Sequence, residues 1–253
     1  MIDYEVVGRV AVITINRPEA RNAVNADVAN GIEAAIDRLE ADDDLWVGVL
    51  TGAGPVFSAG ADLKAIASGG AGGLTTPRGG FAGIAARERT KPIIAAVDGP
   101  ALAGGTEIVL SCDLVVASTA ARFGIPEVKR SLVAAAGGLF RLPRALPRNI
   151  AMELAVTGDP ISAERAAHFG LVNELVEPGH VREAALALAE RITANAPTAV
   201  RLSRKIVLAA QSANDDDLWK LTFESMSGVV ATEDFKEGPL AFIEKRPPVW
   251  KGR

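Results

Sequence analysis

The chain has 253 residues, of which 49 % are hydrophobic and 23 % charged, so it can form one substantial core with an appendage. Its net charge of −4 argues against a broad nucleic-acid surface, and no segment has the apolar length of a membrane span. The single cysteine, Cys112, excludes an intramolecular disulfide and is typical of a reducing compartment, so we expect a cytoplasmic protein.

Strands and helices are predicted to alternate through most of the chain. Short runs rich in β-branched residues predict strands at 10–15, 46–51, 93–98, 113–118 and 171–176. Helical spacing of apolar residues predicts helices at 26–40, 104–111, 147–156, 162–169, 179–194, 198–210, 215–230 and 233–245. We therefore expect an α/β core over residues 1–195 with much parallel strand pairing, followed by a helical C-terminal region over residues 196–253.

One stretch, residues 67–83, has low complexity because it is unusually rich in glycine. Such a segment is costly to order. It is either a mobile surface loop or a flap that gates access of a ligand, and the sequence leaves both interpretations open.

The common signatures of nucleophilic, nucleotide-binding and metal chemistry are absent. The chain has no G-x-S-x-G elbow, no phosphate loop, no G-x-G-x-x-G fingerprint and no cysteine cluster. Its two histidines, His168 and His180, both lie in the late helical region, where we expect structural roles. We expect no metal site, so an enzyme of this sequence must rely on carboxylates and backbone groups.

Two segments of small residues follow predicted strands and leave peptide N–H groups accessible. They are VFSAGADLK (56–64) and ALAGGTE (101–107). A helix that begins at Gly104 leaves the N–H of that residue without a helical partner, and two such N–H groups that converge form an oxyanion hole. The same glycines would also suit tight helix–strand packing, and Glu107 or Glu127, each taken alone, would suit an ordinary helix start.

Five motifs together resemble the enoyl-CoA hydratase/isomerase, or crotonase, family. They are N-R-P-E-A-R-N-A (16–23), F-S-A-G-A-D-L (57–63), D-G-x-A-x-x-G-G-x-E (98–107), F-G-x-P-E (123–127) and A-G-G (136–138). Their order and spacing match the family, and residues 233–250 resemble its C-terminal helix, so the resemblance covers nearly the whole chain. It implies a crotonase-like core, which is a spiral of ββα units, with a helical C-terminal region. It also implies a homotrimer or homohexamer in which C-terminal helices cover a neighbouring active site.

The resemblance implies reversible addition of water to a trans-2-enoyl-CoA. By match to the motifs, the N–H groups of Ala61 and Gly104 would form the oxyanion hole, Glu107 would be the base and Glu127 the acid. No cofactor is expected, because coenzyme A is part of the substrate. The presence of both glutamates favours hydration over isomerisation through Glu127 alone. A carnitinyl-CoA dehydratase-like activity and a non-catalytic acyl-CoA-binding protein remain alternatives.

The resemblance also implies a set of contacts with coenzyme A. Within one subunit these are the backbone of Ala59 and the side chains of Lys64 and Arg21. Phe242 and Lys245 would contact the nucleotide portion, often from a neighbouring subunit.

The chain departs from the family pattern near the expected acyl pocket. Ala134 and Ala135 replace a frequent Pro-Gly pair, and Ser131 replaces a frequent glycine. The acyl chain that binds depends on these positions and on the 67–86 segment, so the sequence does not predict its length or substituents.

Overall fold

The computed structural model describes all residues, 1–253, which form eleven strands and ten α-helices. The strands are β1 (Ile2–Val7), β2 (Val10–Ile15), β3 (Val47–Gly52), β4 (Thr75–Thr76), β5 (Gly80–Phe81), β6 (Ile93–Val97), β7 (Ala101–Leu102), β8 (Leu114–Ser118), β9 (Arg122–Gly124), β10 (Ile161–Ser162) and β11 (Glu174–Val176). The helices are α1 (Ala26–Ala41), α2 (Leu63–Ala67), α3 (Gly104–Val109), α4 (Gly138–Ala145), α5 (Arg148–Thr157), α6 (Ala163–His168), α7 (Val181–Thr193), α8 (Pro197–Ala209), α9 (Asp215–Val230) and α10 (Asp234–Glu244). None of these helices combines the length and apolarity that crossing a membrane requires.

The main sheet has six strands in the order β1-β2-β3-β6-β8-β11. The pair β1–β2 is antiparallel, and every other pair in this sheet is parallel. A second sheet has the order β10-β9-β7, with β7 and β9 parallel. The hairpin β4–β5 forms a third, two-stranded sheet. Because β7 precedes α3 directly, the second sheet determines where the α3 N-terminus lies.

Both faces of the main sheet are buried, because helices cover each of them. Alternate residues of β2, such as Ile13 and Ile15, pack with Ile32 of α1 in the larger core cluster. The intervening residue Val12 packs on the other face with Ala185 of α7. Burial on both faces explains why the central strands are almost continuously apolar in sequence.

The predicted α/β core with a helical C-terminal region is confirmed, and most predicted elements match within one or two residues. The strand predicted at 171–176 is shorter, because Asn173 accepts a hydrogen bond from the N–H of Val115 with its side chain (2.8 Å). β1 and the second sheet were not predicted. β1 lies at the edge of the main sheet with four of its six residues exposed, so it lacks an apolar pattern.

The C-terminal region returns to the core through its last residues. Trp250 donates from its indole N–H to the carbonyl of Ala194 (2.7 Å), and Asp234 accepts hydrogen bonds from the N–H groups of Lys251 and Gly252. The predicted division of the chain at residues 195 and 196 stays a prediction.

The 67–86 segment is attached to α1 by side-chain contacts. Arg78 forms ion pairs with Glu33 and Asp37, and Arg87 also pairs with Asp37. The hydroxyl of Thr76 donates to Glu33. These contacts fix the position of the β4–β5 hairpin that this segment contains.

Candidate active site

The N-R-P-E-A-R-N motif at residues 16–22 supports the segment that follows β3. Asn22 is fully buried, and its amide nitrogen donates to the carbonyls of Ala53 (2.9 Å) and Val56 (2.7 Å). Arg17 forms an ion pair with Asp62 (2.6 Å), whose carboxylate also caps the N-terminus of α2. The motif therefore holds both ends of residues 53–62 in place.

This segment lies directly against the start of α3, and glycines make the approach possible. A Cβ atom on Gly60, which has φ +85°, would lie 2.6 Å from the amide nitrogen of Gly104. A Cβ atom on Gly105 would collide with the carbonyl of Ser58. No side chain fits at either position, so close packing of the two segments requires glycine.

Two backbone donors where these segments meet have no acceptor within the protein. The N–H groups of Ala61 and Gly104 make no intramolecular hydrogen bond, whereas the N–H of Asp62 donates to the carbonyl of Val24 (2.9 Å) and that of Thr106 to the carbonyl of Ala103 (2.9 Å). Gly104 is the first residue of α3, where the helix itself supplies no partner. These two N–H groups can donate hydrogen bonds to a carbonyl oxygen and stabilise negative charge that develops on it.

The ring of Phe81, in β5, lies beside one of these donors. A Cβ atom on Gly104 would be 2.5 Å from two of its ring carbons. The glycine-rich segment that the sequence left undefined thus supplies an aromatic wall next to the Gly104 N–H.

Glu107 is buried one helical turn after Gly104, with only 3 % of the residue exposed. Its Oε1 accepts hydrogen bonds from the N–H groups of Ala136 (2.8 Å) and Gly138 (2.9 Å). Burial raises the pKa of Glu107, and these two hydrogen bonds and the charge of Arg141 offset part of that rise. The turn that precedes α4 therefore fixes the orientation of the Glu107 carboxylate and offsets part of the rise in its pKa.

Glu127 is half-buried in a 3₁₀ turn, Pro126–Arg130, which follows β9. Its Oε2 is buried and has no hydrogen-bond partner. Burial raises the pKa of Glu127, and the negative charge of Glu107 raises it further. The two carboxyl groups therefore titrate as interacting neighbours.

The predicted coenzyme A contacts fall into two groups. Ala59, two residues before Ala61, and Arg21 lie together, since the N–H of Ala59 donates to the carbonyl of Arg21 (3.0 Å). The exposed side chain of Lys64 extends from the first turn of α2. Phe242, which is 86 % exposed, and Lys245 lie at the end of α10, which packs on α9 and not on this site.

Several residues of the site were missed by sequence reasoning. The A-G-G motif at residues 136–138 was identified only as one of the five family motifs, and its N–H groups were not assigned to Glu107. Nothing in the local pattern signalled that Phe81 lies beside Gly104. Ser131, which replaces a frequent glycine, has φ +55°, so the conformation at this position explains the glycine preference.

Comparison with known proteins identifies the family. The pattern of the enoyl-CoA hydratase/isomerase family matches residues 5–253. The enoyl-CoA hydratase EchA19 of Mycobacterium tuberculosis is 39 % identical over 251 residues, with 97 % of this chain and 94 % of the relative covered. The carnitinyl-CoA dehydratase of Salmonella typhi is 38 % identical over 252 residues, with 97 % and 96 % covered.

A solved structure of an enoyl-CoA hydratase from Mycobacterium tuberculosis H37Rv has a TM-score of 0.96 and 49 % identity, covering 100 % of this chain and 99 % of that chain. The crotonase-like fold expected from the motifs is therefore confirmed. The chain belongs to the enoyl-CoA hydratase/isomerase family.

Proposed function

We propose that this protein is an enoyl-CoA hydratase that reversibly adds water to a trans-2-enoyl-CoA to give a 3-hydroxyacyl-CoA. One observation carries the proposal. Glu107 and Glu127, two carboxyl groups with raised pKa values, lie in the same region of the fold as two N–H groups without acceptors, and the charge of Glu107 contributes to the raised pKa of Glu127. Acid–base transfer and oxyanion stabilisation are the two requirements of this reaction.

The thioester oxygen would accept hydrogen bonds from the N–H groups of Ala61 and Gly104. Negative charge collects on that oxygen as water adds to C3, and each donor of this kind is worth roughly 10²–10³ in rate. Glu107 takes a proton from the water, whose oxygen bonds to C3, and Glu127 delivers a proton to C2. In dehydration the two glutamates exchange these roles.

The environments of the two carboxyl groups support this division of roles. Two backbone N–H groups and the charge of Arg141 favour the ionised form of Glu107, which suits a base. Burial and the negative charge of Glu107 raise the pKa of Glu127, whose Oε2 atom has no hydrogen-bond partner, and a raised pKa suits an acid.

Coenzyme A binding completes the proposal. Ala59, Lys64 and Arg21 would hold the coenzyme A portion, and no further cofactor is needed. The exposure of Phe242 and Lys245 supports a contact made across subunits in a homotrimer or homohexamer. We place the enzyme in the cytoplasm.

A second candidate is dehydration of a carnitinyl-CoA, which the relative from Salmonella typhi favours. The chemistry is the same, with two glutamates removing water from a 3-hydroxyacyl thioester. Only the substituent on the acyl chain differs, so the two candidates are separated by substrate and not by mechanism.

The test is loss of enoyl ultraviolet absorbance with a panel of 2-enoyl-CoAs, from crotonyl-CoA to long-chain and crotonobetainyl-CoA. Glu107→Gln and Glu127→Gln should each lower hydration by roughly 10²–10⁴-fold. Glu190→Gln, a change at an exposed position of α7, is the matched control and should leave the rate unchanged. If Glu107→Gln kept the wild-type rate of hydration, Glu107 would not be the base, and if the wild type hydrated no member of the panel, isomerisation through Glu127 would replace the proposal. Acyl-CoA binding without turnover of any substrate would indicate a non-catalytic binder.

A further inference from the structure

Glu107 is held by a turn that has no regular secondary structure of its own. Gly137 adopts φ +100° between the two residues whose N–H groups bind the carboxylate. A turn of this kind keeps its N–H groups aimed at one oxygen only if something fixes its peptide planes. The contacts of the turn therefore decide the position of the carboxylate.

Arg141 supplies that support. Its Nη1 donates to the carbonyl of Ala136 (3.1 Å) and to the hydroxyl of Ser111 (3.3 Å), and that hydroxyl donates to the backbone carbonyl of Glu107 (2.7 Å). The N–H of Ala136 returns to the carboxylate of Glu107. These four hydrogen bonds form a closed ring that fixes both the backbone and the side chain of Glu107.

The second terminal nitrogen of the guanidinium, Nη2, contacts the segment that carries Phe81. Nη2 donates to the carbonyl of Ala85 (2.5 Å), four residues after Phe81, whose ring lies beside Gly104. The planar fork of arginine makes both connections at once, which lysine, with a single nitrogen, cannot reproduce.

No carboxylate forms an ion pair with Arg141, although the side chain is half-buried. Its hydrogen-bond acceptors are two backbone carbonyls and one hydroxyl. Placing a charged group there is costly unless its hydrogen bonds are satisfied or a nearby charge compensates it. Burial and the positive charge of Arg89 lower the pKa of Arg141, and the charge of Glu107 offsets part of that fall.

We propose that Arg141 is the positioning residue of this site, which holds the 136–138 turn, and through it the Glu107 carboxylate, in register with the segment that carries Phe81. The inference rests on the proposed function for its kinetic consequence. The ring of hydrogen bonds around Glu107 does not depend on that function.

The kinetic test uses the full-length enzyme with a 2-enoyl-CoA that the wild type hydrates. Arg141→Met should lower kcat by roughly 10²-fold with KM changed much less, because a small misplacement of a catalytic group has effects of that size. The acidic limb of the pH–rate profile should move to higher pH, because the positive charge that lowers the pKa of Glu107 is lost. Glu127 is the other carboxyl group near Glu107, and because it is unchanged in wild type and variant, it does not account for a difference between their profiles.

Arg141→Lys keeps the charge and loses the fork, so it should lower kcat while leaving the acidic limb in place. Arg144→Met, a change at an exposed arginine one turn further along α4, is the matched control and should alter neither quantity. Wild-type kcat and pH profile in both Arg141 variants would overturn the proposal. So would a fall in kcat that only reflects a smaller folded fraction in thermal melts.

A spectroscopic readout separates this inference from the proposed function. Carbon-13 NMR of labelled glutamate carboxyls, with Glu107 assigned by Glu107→Gln, reports the pKa of Glu107 whatever reaction the protein catalyses. We expect a higher pKa of Glu107 in Arg141→Met than in the wild type. An unchanged pKa would overturn the positioning role, and failure of the wild type to hydrate any enoyl-CoA would overturn only the proposed function.

Discussion

A single methyl group at Gly104 has the sharpest expected effect on this site. A Cβ atom there would lie 2.5 Å from two ring carbons of Phe81 and 3.3 Å from the Cα atom of Gly60. Carbon atoms in contact are ordinarily about 3.5–4.0 Å apart, so the ring or the start of α3 must move by about 1 Å. Gly104 has no positive φ, so the displacement comes from steric contact and not from backbone strain.

We expect Gly104→Ala to lower kcat for hydration by about 10²–10³-fold, or about 2.7–4 kcal/mol, which is the effect of losing one oxyanion donor. The measurement is the initial rate of loss of enoyl absorbance at saturating substrate. Gly228→Ala is the matched control, because a Cβ atom at this position within α9 meets only Leu202 at 3.5 Å. That variant should gain about 0.5–1 kcal/mol of stability from helix propensity and keep the wild-type kcat.

A second substitution tests the stated cause. Phe81→Ala in the Gly104→Ala background removes the ring that the new methyl group meets, so the double variant should recover part of the lost kcat. A folded Gly104→Ala variant with wild-type kcat would refute the oxyanion role of this N–H. A double variant no better than Gly104→Ala would refute the collision with Phe81 as the reason.

Three further changes test other parts of the site. Glu127→Gln should raise Tm at neutral pH, since burial raises the pKa of Glu127 and the folded wild type loses stability as pH rises above the ordinary value of 4.5. Thermal melts at several pH values should show this advantage vanish in acid, and an advantage independent of pH would contradict the argument. Gly137→Ala should lower both Tm and kcat, because a side chain at φ +100° is strained and its Cβ atom would collide with Arg141. The loss of stability should exceed about 1 kcal/mol, and an unchanged Tm would contradict backbone strain at this position. A saturated acyl-CoA thioester should raise Tm more than a thioether of the same chain length, because only the thioester carbonyl can accept from Ala61 and Gly104; equal shifts would contradict an oxyanion hole.

Local patterns in the sequence were sufficient for most of the fold. β2 was predicted with its observed bounds, because it is a short apolar run rich in β-branched residues that ends at a turn. The start of α1 follows from Asn25, whose side chain accepts from the N–H of Val28 (3.0 Å). β7 and β9 were not predicted, because strands of two and three residues are too short to show an alternation of apolar and polar residues.

The candidate site was predictable only where a motif carried the information. The chain segments around Ala61, Gly104, Glu107 and Glu127 were found from their motifs, and the structure brings the first three together through contacts of the 58–62 and 101–107 segments. The contact from Arg141 to Ala85 spans 56 residues and depends on how α4 packs near α3. No local spacing encodes such a contact, so it had to be read from the structure.

The glycine-containing turns of this site use their N–H groups in two opposite ways. At residues 136–138 the donors bind a carboxylate that is 97 % buried, which satisfies the donors and the acceptor together. At Ala61 and Gly104 the donors have no acceptor in the protein, so they are available to a ligand. A thioester carbonyl could accept from both, and it would bind most tightly when its oxygen is most negative. The contrast between satisfied donors around Glu107 and unsatisfied donors one turn away is thus what a site needs to hold its base rigidly and bind a transition state more tightly than a substrate.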